Sequence, residues 1–257
     1  MENKFTKTLI FLLLISILFA GNAQENHDYY LLQQSFTSNA AAKCWQEGSF
    51  LSASFLNKFC KKEMLVETLD IHHVHRKNCI TGDISHSGYA RFGELTARIG
   101  YGRAFGQRFS AALQAVYILN HAEHYAAVHS FTINLSAFCK VTDKCDIAVE
   151  MENPIHLRYG VVGGDLIPMS IDVRLHYAPR HHIHAYAFFH KTLPGELDIG
   201  AGGIWQAHRH LLLGMAASST NLQAGIHIPF SKTVTAIVCQ WHFHTGFSPQ
   251  CSITIQL

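Results

Sequence analysis

Apolar and polar residues alternate one by one along most of the chain. From Phe109 to Tyr117, the odd-numbered positions are apolar or aromatic, whereas Ser110 and Gln114 stand at even-numbered positions. The same period of two recurs in residues 130–137, 146–152, 170–177, 196–201 and 250–257. Successive side chains of a β-strand point to opposite faces, so this pattern predicts strands with one apolar and one polar face.

About fourteen such segments can be placed, and most are roughly 9–12 residues long, which suits tilted strands that cross a bilayer. An even number is expected of a bacterial single-chain barrel. The predicted strands cover residues 49–57, 63–74, 78–87, 92–103, 107–119, 127–140, 144–153, 168–178, 181–190, 195–205, 209–217, 220–229, 232–243 and 249–257.

Alternation is also typical of a soluble β-sandwich, and the charged residues decide between the two architectures. Arg98, Glu150, Asp172, Arg174 and Asp198 stand on the polar faces in the middle of predicted strands. A sandwich core cannot take up such charges without partners, whereas the lumen of a barrel can. The prediction is therefore an all-β protein, a transmembrane antiparallel up-and-down β-barrel.

The predicted connections alternate in length. Every second one is tight and carries a basic residue or His at or near the turn, as at Arg76-Lys77. The others tend to be longer, and the longest runs from Pro154 to Pro168. With both termini in the periplasm, the tight set becomes the periplasmic turns and the long set becomes the extracellular loops.

The first 47 residues do not follow the strand pattern. Residues 1–23 combine a basic start, a short apolar run and the small residues Gly21 and Ala23, which together predict a cleaved secretory signal peptide. Residues 24–47 are polar and unpatterned, so they either form a short plug inside the barrel or lie loose in the periplasm. The barrel itself is assigned to residues 48–257.

Composition supports an exported membrane barrel. Charged residues make up 15% of the chain, below the roughly 25% of a typical soluble domain, and hydrophobic ones 48%. The formal net charge is only +2, so nothing indicates a nucleic-acid partner. We expect the protein in the outer membrane, with lipid around it.

The polar faces supply candidate lumen-lining residues. Read functionally, these residues line a polar pore; read structurally, their mixed charges neutralise one another and close a narrow lumen. The candidates are Glu94, Arg98, Glu150, Asp172, Arg174, His182, His184, Tyr186, Asp198 and His242.

Histidine and cysteine are the residues that could carry other chemistry. Several of the 19 His stand two apart in strands, a spacing that can hold a metal, but they lack partners at ligand spacing, so no metal site and no cofactor are predicted. A disulfide between Cys139 and Cys145 stays open, since they flank a tight turn. No Gly-x-Ser-x-Gly motif occurs, and the chain is not expected to be an enzyme, with a membrane hydrolase kept as an alternative.

Four stretches resemble outer-membrane barrels of Bacteroidota related to FadL-type fatty-acid channels, a group that includes the PorV and PorQ proteins of the type IX secretion system. The resemblance extends from about Ser38 onward. It rests on RIGYGRAFGQRFSAALQAVY (98–117), HSFTINLSAF with DKCDIAVEMENPI (129–155), IPMSIDVRLHYAP (167–179) and TGFSPQCSITIQL (245–257).

The resemblance implies a fourteen-stranded barrel, in agreement with the strand count. It further implies passage of a small hydrophobic or amphipathic solute, or scaffolding of a surface or secretion complex with partner proteins. A closed barrel with a purely structural or interaction role stays as an alternative.

Overall fold

The computed structural model describes residues 39–89, 91–160 and 165–257. The predicted signal peptide and residues 24–38 lie outside the described residues. Within these ranges, a short helix, α1 (Ala40–Lys43), precedes the strands, and two 3-10 turns (Lys58–Cys60 and Lys62–Met64) follow the first strand. No helix in these described ranges is long and apolar enough to cross a membrane.

Fourteen antiparallel strands form one closed barrel, which confirms the predicted architecture and strand number. Each strand pairs with its neighbours in sequence, and the first closes on the last, with Ser52 opposite Thr254. The strands are β1 Gly48–Asn57, β2 Leu65–His75, β3 Asn78–Tyr89, β4 Phe92–Phe105, β5 Phe109–Ala122, β6 Val128–Thr142, β7 Cys145–Glu152, β8 Met169–Arg180, β9 Ile183–Leu193, β10 Leu197–His208, β11 Leu211–Ser218, β12 Asn221–Phe230, β13 Thr233–His242 and β14 Gly246–Gln256.

The predicted strand boundaries are mostly within a few residues of those in the structure. The largest differences are at strand ends, where the pattern is least informative. The pattern predicts residues 181 and 182 in a strand, but they form the turn between β8 and β9. It also extends the seventh strand to residue 153, but β7 ends at Glu152 and Asn153 begins a loop.

One end of the barrel, here called the turn end, carries the connections that follow the even-numbered strands up to β12, together with the start of β1 and the end of β14. These six connections are two or three residues long. Arg76 and Lys77 both have positive φ, 48° and 69°, the backbone conformation that a type I′ hairpin turn requires. The tight set of connections is thus confirmed.

The opposite end, here called the loop end, carries the remaining connections. The longest of them spans residues 153–168, and the next spans 58–64. Other loop-end connections are short, such as 194–196 and 219–220. The predicted long–short rhythm is therefore present but uneven.

The outward face of the barrel carries large hydrophobic side chains. Ile71, Ile84, Ile99, Leu113 and Phe131 are between 50% and 67% exposed, which is far more than the core of a soluble domain allows. A contiguous apolar surface of this kind matches the band that lipid covers in outer-membrane barrels. Exposed aromatic residues lie toward both ends, including Tyr101 and Trp205 toward the turn end and Trp241 and Phe243 toward the loop end.

Candidate functional site: the barrel lumen

The lumen encloses a cavity of about 710 Å³. This volume lies within the range of pockets that hold small molecules, roughly 300–1,000 Å³. Side chains at the even-numbered positions of strands such as β4, β7 and β8 line it, because alternation turns one face of each strand inward. The lumen is therefore the place where a solute would bind or pass.

The lining of the cavity is chemically two-sided. Nine side chains with a formal charge line it within the described part of the chain, and none of them lies on β11–β14 or β1. We call these nine residues the charged wall; they are Lys43, Asp70, Asp83, Arg98, Glu150, Glu152, Asp172, Arg174 and Asp198.

The opposite side, here called the uncharged wall, is formed by the lining residues of β11–β14 and β1. Gly214 and Gly225 keep it open, and Val234, Ala236 and Val238 form an apolar strip along it. The rest is mostly Gln, Ser, Thr, Ala and a His, all without formal charge. One wall can therefore solvate a polar or charged group while the other contacts a hydrocarbon part.

Ion pairs order most of the charged wall. Arg98 Nη1 donates to Asp83 Oδ2 at 2.7 Å, across the β3–β4 pair in register. Arg174 Nε donates to Asp172 Oδ1 at 2.6 Å, two residues away on the same face of β8. These pairs neutralise part of the lumen charge, as the structural interpretation of the sequence expected.

Carboxylates exceed cations in the charged wall, six to three. Glu150 and Glu152 stand two apart on β7, and Glu152 accepts a hydrogen bond from the Ser170 hydroxyl at 2.8 Å. Asp172 lies opposite Glu150 on the neighbouring strand. This excess of negative charge favours cations in the cavity.

A short segment occupies the lumen at the turn end. Residues 39–46, here called the plug, place the three alanines of α1 against Ala112, Phe138 and Ala148 of the inner wall. The small side chains let the helix backbone approach the wall closely: Ala41 N–H donates to Ser136 Oγ at 3.1 Å, and Ser110 Oγ donates to Ala41 O at 2.7 Å. The plug thus fits against β5, β6 and β7.

Further contacts hold both ends of the plug. The Asn39 side chain caps α1 by accepting from Ala42 N–H at 2.9 Å and donates to Val149 O at 3.0 Å. At the other end, the Trp45 ring donates to Ser110 Oγ at 2.9 Å, and the Lys140 ammonium lies 4.2 Å above the ring. Residues 39–46 therefore lie inside the barrel, and the rest of the segment predicted as a plug or a loose periplasmic stretch, residues 24–38, lies outside the described residues.

The long loop folds over the lumen at the loop end. Asn153 is 1% exposed and ties the loop together: it accepts from Thr132 Oγ1 at 2.7 Å and from Leu157 N–H at 3.0 Å, and it donates to Ile167 O at 2.6 Å. The loop then packs Ile167 and Tyr159 on lumen-facing residues of β5. Burial raises the pKa of Tyr159, and the Glu94 carboxylate adds to this effect.

The β1–β2 connection also turns inward at the loop end. Phe59 N–H donates to Ser248 Oγ at 2.9 Å, and the Phe59 ring meets His242 edge-on, with 5.3 Å between the ring centroids. Ser248 is thereby engaged in a structural hydrogen bond. The cavity consequently lies between a plug at one end and two inward-folded loops at the other.

The structure brings six of the ten predicted lumen residues to the cavity: Arg98, Glu150, Asp172, Arg174, Tyr186 and Asp198. Glu94 stands on the inner face of β4 near the loop end, within 3.5 Å of the Thr96 hydroxyl. His242 stands at the loop end against Phe59. The structure places the other two, both histidines, away from the cavity.

His182 lies in the β8–β9 turn and is exposed, because β9 starts at Ile183, two residues later than the pattern predicts. His184 is buried beside His176, with its Nδ1 3.0 Å from His176 Nε2, while His176 Nδ1 is 3.2 Å from Asp146 Oδ2. This row of rings is hydrogen-bonded on the inner faces of β8 and β9 at the turn end, beyond the lining of the cavity. No group of three or more His, Cys, Asp or Glu within the described ranges is arranged to hold a metal ion.

Lys43, Asp70 and Asp83 line the cavity without being among the predicted residues. The alternation in β2 and β3 could have found the two aspartates, since Asp70 stands between the outward-facing Leu69 and Ile71, and Asp83 precedes the outward-facing Ile84. Lys43 carried no such signal, because the plug has no period of two. Cys139 and Cys145 are both free thiols, and they pair with Ile147 and Thr142 rather than with each other.

Comparison with known proteins shows that this chain is similar to solved structures in fold. No protein-family model matches the chain, and no curated protein matches it in sequence. Among solved structures, the monoaromatic hydrocarbon channel CymD is similar, with a TM-score of 0.62, 10% identity, and coverage of 88% of this chain and 93% of that one.

Two further barrels are similar to the same extent. The toluene transporter TodX of Pseudomonas putida has a TM-score of 0.62 and 8% identity, over 86% of this chain and 91% of that one. A FadL homologue of Pseudomonas aeruginosa has a TM-score of 0.63 and 8% identity, over 88% of this chain and 94% of that one. The chain thus has the closed fourteen-stranded antiparallel fold of FadL-type outer-membrane barrels.

Proposed function

We propose that this protein is an outer-membrane channel for a small amphipathic solute. The observation that carries the proposal is the cavity of about 710 Å³ between a charged and an uncharged wall. A solute with a polar head and a hydrocarbon body can satisfy both walls at once, whereas a purely apolar solute leaves the charged wall desolvated.

The outward face supports a position in the membrane. Its exposed Ile, Leu and Phe side chains need a lipid environment, and the aromatic residues near both ends suit the two interfaces. We propose that the turn end faces the periplasm, because short periplasmic turns and longer outer loops are the rule in such barrels. The apolar run in residues 1–23 supports export.

Passage requires movement at both ends of the lumen. The plug covers part of the turn end, and the loops that contain Phe59 and Asn153 fold over the loop end. Local rearrangement of short segments costs less than opening the strand ladder, which is hydrogen-bonded around the whole barrel. The channel is therefore proposed to be closed at rest and to open by displacement of these segments.

The membrane location is tested by fractionation. The full-length gene is expressed in a Gram-negative host, and the mature protein should sediment with outer membranes and migrate faster on gels when it is not boiled. Recovery of a soluble periplasmic protein would overturn the location.

Transport is tested by uptake into proteoliposomes. We expect benzylamine, which combines an ammonium with an aromatic ring, to enter faster than toluene or benzoate. The variant Ala236→Trp fills the uncharged wall from a lumen position that is 4% exposed, and it should block uptake.

The neighbouring variant Ile237→Trp is the matched control. Ile237 points outward and is 44% exposed, so the larger ring lies in lipid and uptake should continue. Equal uptake by both variants would exclude passage through the lumen. Co-purification of a fixed partner protein without any uptake would instead support a scaffold in a surface or secretion complex.

A further inference from the structure

Two cysteines meet where the plug touches the barrel wall. Cys44 follows α1, and Cys79 stands on the inner face of β3. Both are buried, at 3% and 0% exposure, within one apolar cluster that also contains Val74 and Ala104.

The wall is shaped to admit the sulfur of Cys44 beside Cys79. Gly102 is the register partner of Cys79 on β4, and a Cβ added to Gly102 would lie only 2.7 Å from Cys44 Sγ. The absence of a side chain at Gly102 therefore leaves the space that the Cys44 sulfur fills. Directly opposed residues in antiparallel strands lie about 4.5–5.5 Å apart, so this space borders Cys79.

We propose that Cys44 and Cys79 form a disulfide that ties the plug covalently to the barrel wall. This inference rests on the export part of the proposed function, since disulfides persist in oxidising compartments. It does not depend on which solute passes. The bond closes a loop that contains β1 and β2, and it restricts the plug to the turn end.

The chemistry balances as thiol–disulfide exchange. The two thiols lose two protons and two electrons as the S–S bond forms, and the disulfide of an oxidoreductase or of oxidised glutathione is reduced to two thiols. The reaction proceeds through a mixed disulfide, which the thiolate of the second cysteine resolves. Because both sulfurs are buried in the seated plug, exchange takes place while the plug docks.

The residues on both sides of Cys44 are already held against the barrel wall by polar contacts. Lys43 precedes Cys44 and pairs with Asp70 on β2, and Trp45 follows it and bonds to Ser110 on β5. The disulfide would therefore fix the segment between two polar anchors. A tethered plug can rotate or tilt, but it cannot leave the lumen as a whole.

The experiment uses the mature, membrane-extracted protein with a protease site inserted between Glu47 and Gly48. After oxidation with oxidised glutathione and cleavage, the N-terminal fragment should stay attached to the barrel on a denaturing gel without reductant. Addition of dithiothreitol should release it. Thiol alkylation before reduction should leave two of the seven cysteines unmodified, and peptide mapping should identify them as Cys44 and Cys79.

Two test variants and one control variant check the result. Cys44→Ser and Cys79→Ser should each release the fragment without reductant, whereas Cys239→Ser, which alters an outward position on β13, should keep it attached. Release from the oxidised wild-type protein, or attachment through any other cysteine, would overturn the proposal. Loss of uptake activity with the fragment still attached would count against the transport function alone.

Discussion

Lys43 Nζ lies 2.5 Å from Asp70 Oδ2, and this ion pair joins the plug to the barrel wall beside the cavity. The two side chains are 8% and 17% exposed, so the pair is shielded from solvent on most sides. Asp70 also has the His72 ring 3.5 Å away. The contact links the position of the plug directly to the charge of the lumen.

We expect Asp70→Asn to loosen the plug and to raise single-channel conductance in planar bilayers. Loss of the carboxylate leaves the Lys43 ammonium with poorer compensation, at a cost of about 1–3 kcal/mol. Each 1.4 kcal/mol corresponds to about a tenfold change in the ratio of displaced to seated plug, so brief openings of the channel become more frequent. The control is Asp198→Asn at the loop end, which removes a lumen carboxylate that accepts a hydrogen bond from Ser219 rather than from the plug. Unchanged conductance in Asp70→Asn would contradict the role of this pair.

The excess of carboxylates predicts cation selectivity. The double variant Glu150→Gln and Glu152→Gln removes two of the six carboxylates of the charged wall without changing side-chain length. Reversal potentials across a KCl gradient should move toward the non-selective value, since the local potential scales with the summed charge. Glu196→Gln, at an exposed turn, should leave the reversal potential unchanged. An anion-selective wild-type channel would refute this reading of the charged wall.

Asn153→Ala is expected to release the long loop. The substitution removes the hydrogen-bonding partner of Thr132 and of the Leu157 and Ile167 backbone, and unsatisfied buried groups cost about 1–3 kcal/mol each. Limited proteolysis of the detergent-solubilised protein should cut within residues 154–168 faster than in the wild type. Asn78→Ala, at the exposed β2–β3 turn, provides the comparison and should leave this cleavage rate as it is. Equal cleavage of all three proteins would mean that Asn153 does not hold the loop.

Gly202→Ala tests the packing of the lumen wall. A Cβ at this position would stand 2.6 Å from both the Met215 carbonyl oxygen and the Tyr186 ring, so the backbone or the ring must move. Overpacking of this kind costs about 1–3 kcal/mol, and urea should unfold the variant at a lower concentration. Gly82→Ala is the matched control, since its nearest neighbour lies at 3.5 Å, an ordinary contact. Identical urea midpoints of the two variants would show that the wall accommodates the added methyl group at Gly202 without loss of stability.

Period-two patterning was enough to predict the barrel and its strand number, because each strand buries one face against lipid and turns the other inward. The same pattern located Arg98, Glu150, Asp172 and Asp198 at the cavity. It failed at His182, since the register of a strand end is set by turn geometry rather than by side-chain alternation. The β2–β3 turn shows the difficulty: Arg76 and Lys77 adopt positive φ without the Asn-Gly signal of such turns.

The contribution of the plug could not be predicted from pattern. Four helical residues make no periodic signal, and their position depends on contacts with residues up to 110 positions away, as between Asn39 and Val149. Lys43 can therefore be identified as a cavity-lining residue only from the tertiary structure. The inward fold of Phe59 onto Ser248 is a similar long-range event.

The division of the lumen into two walls has a consequence for the orientation of whatever enters it. With all the formal charges of its described lining on one side, the field in the cavity runs across the barrel axis rather than along it. A molecule with a dipole is therefore aligned sideways, with its positive end toward β7 and β8. It would travel broadside, so the length of a solute from its polar head to its hydrocarbon end, more than its width, would decide whether it fits across the lumen.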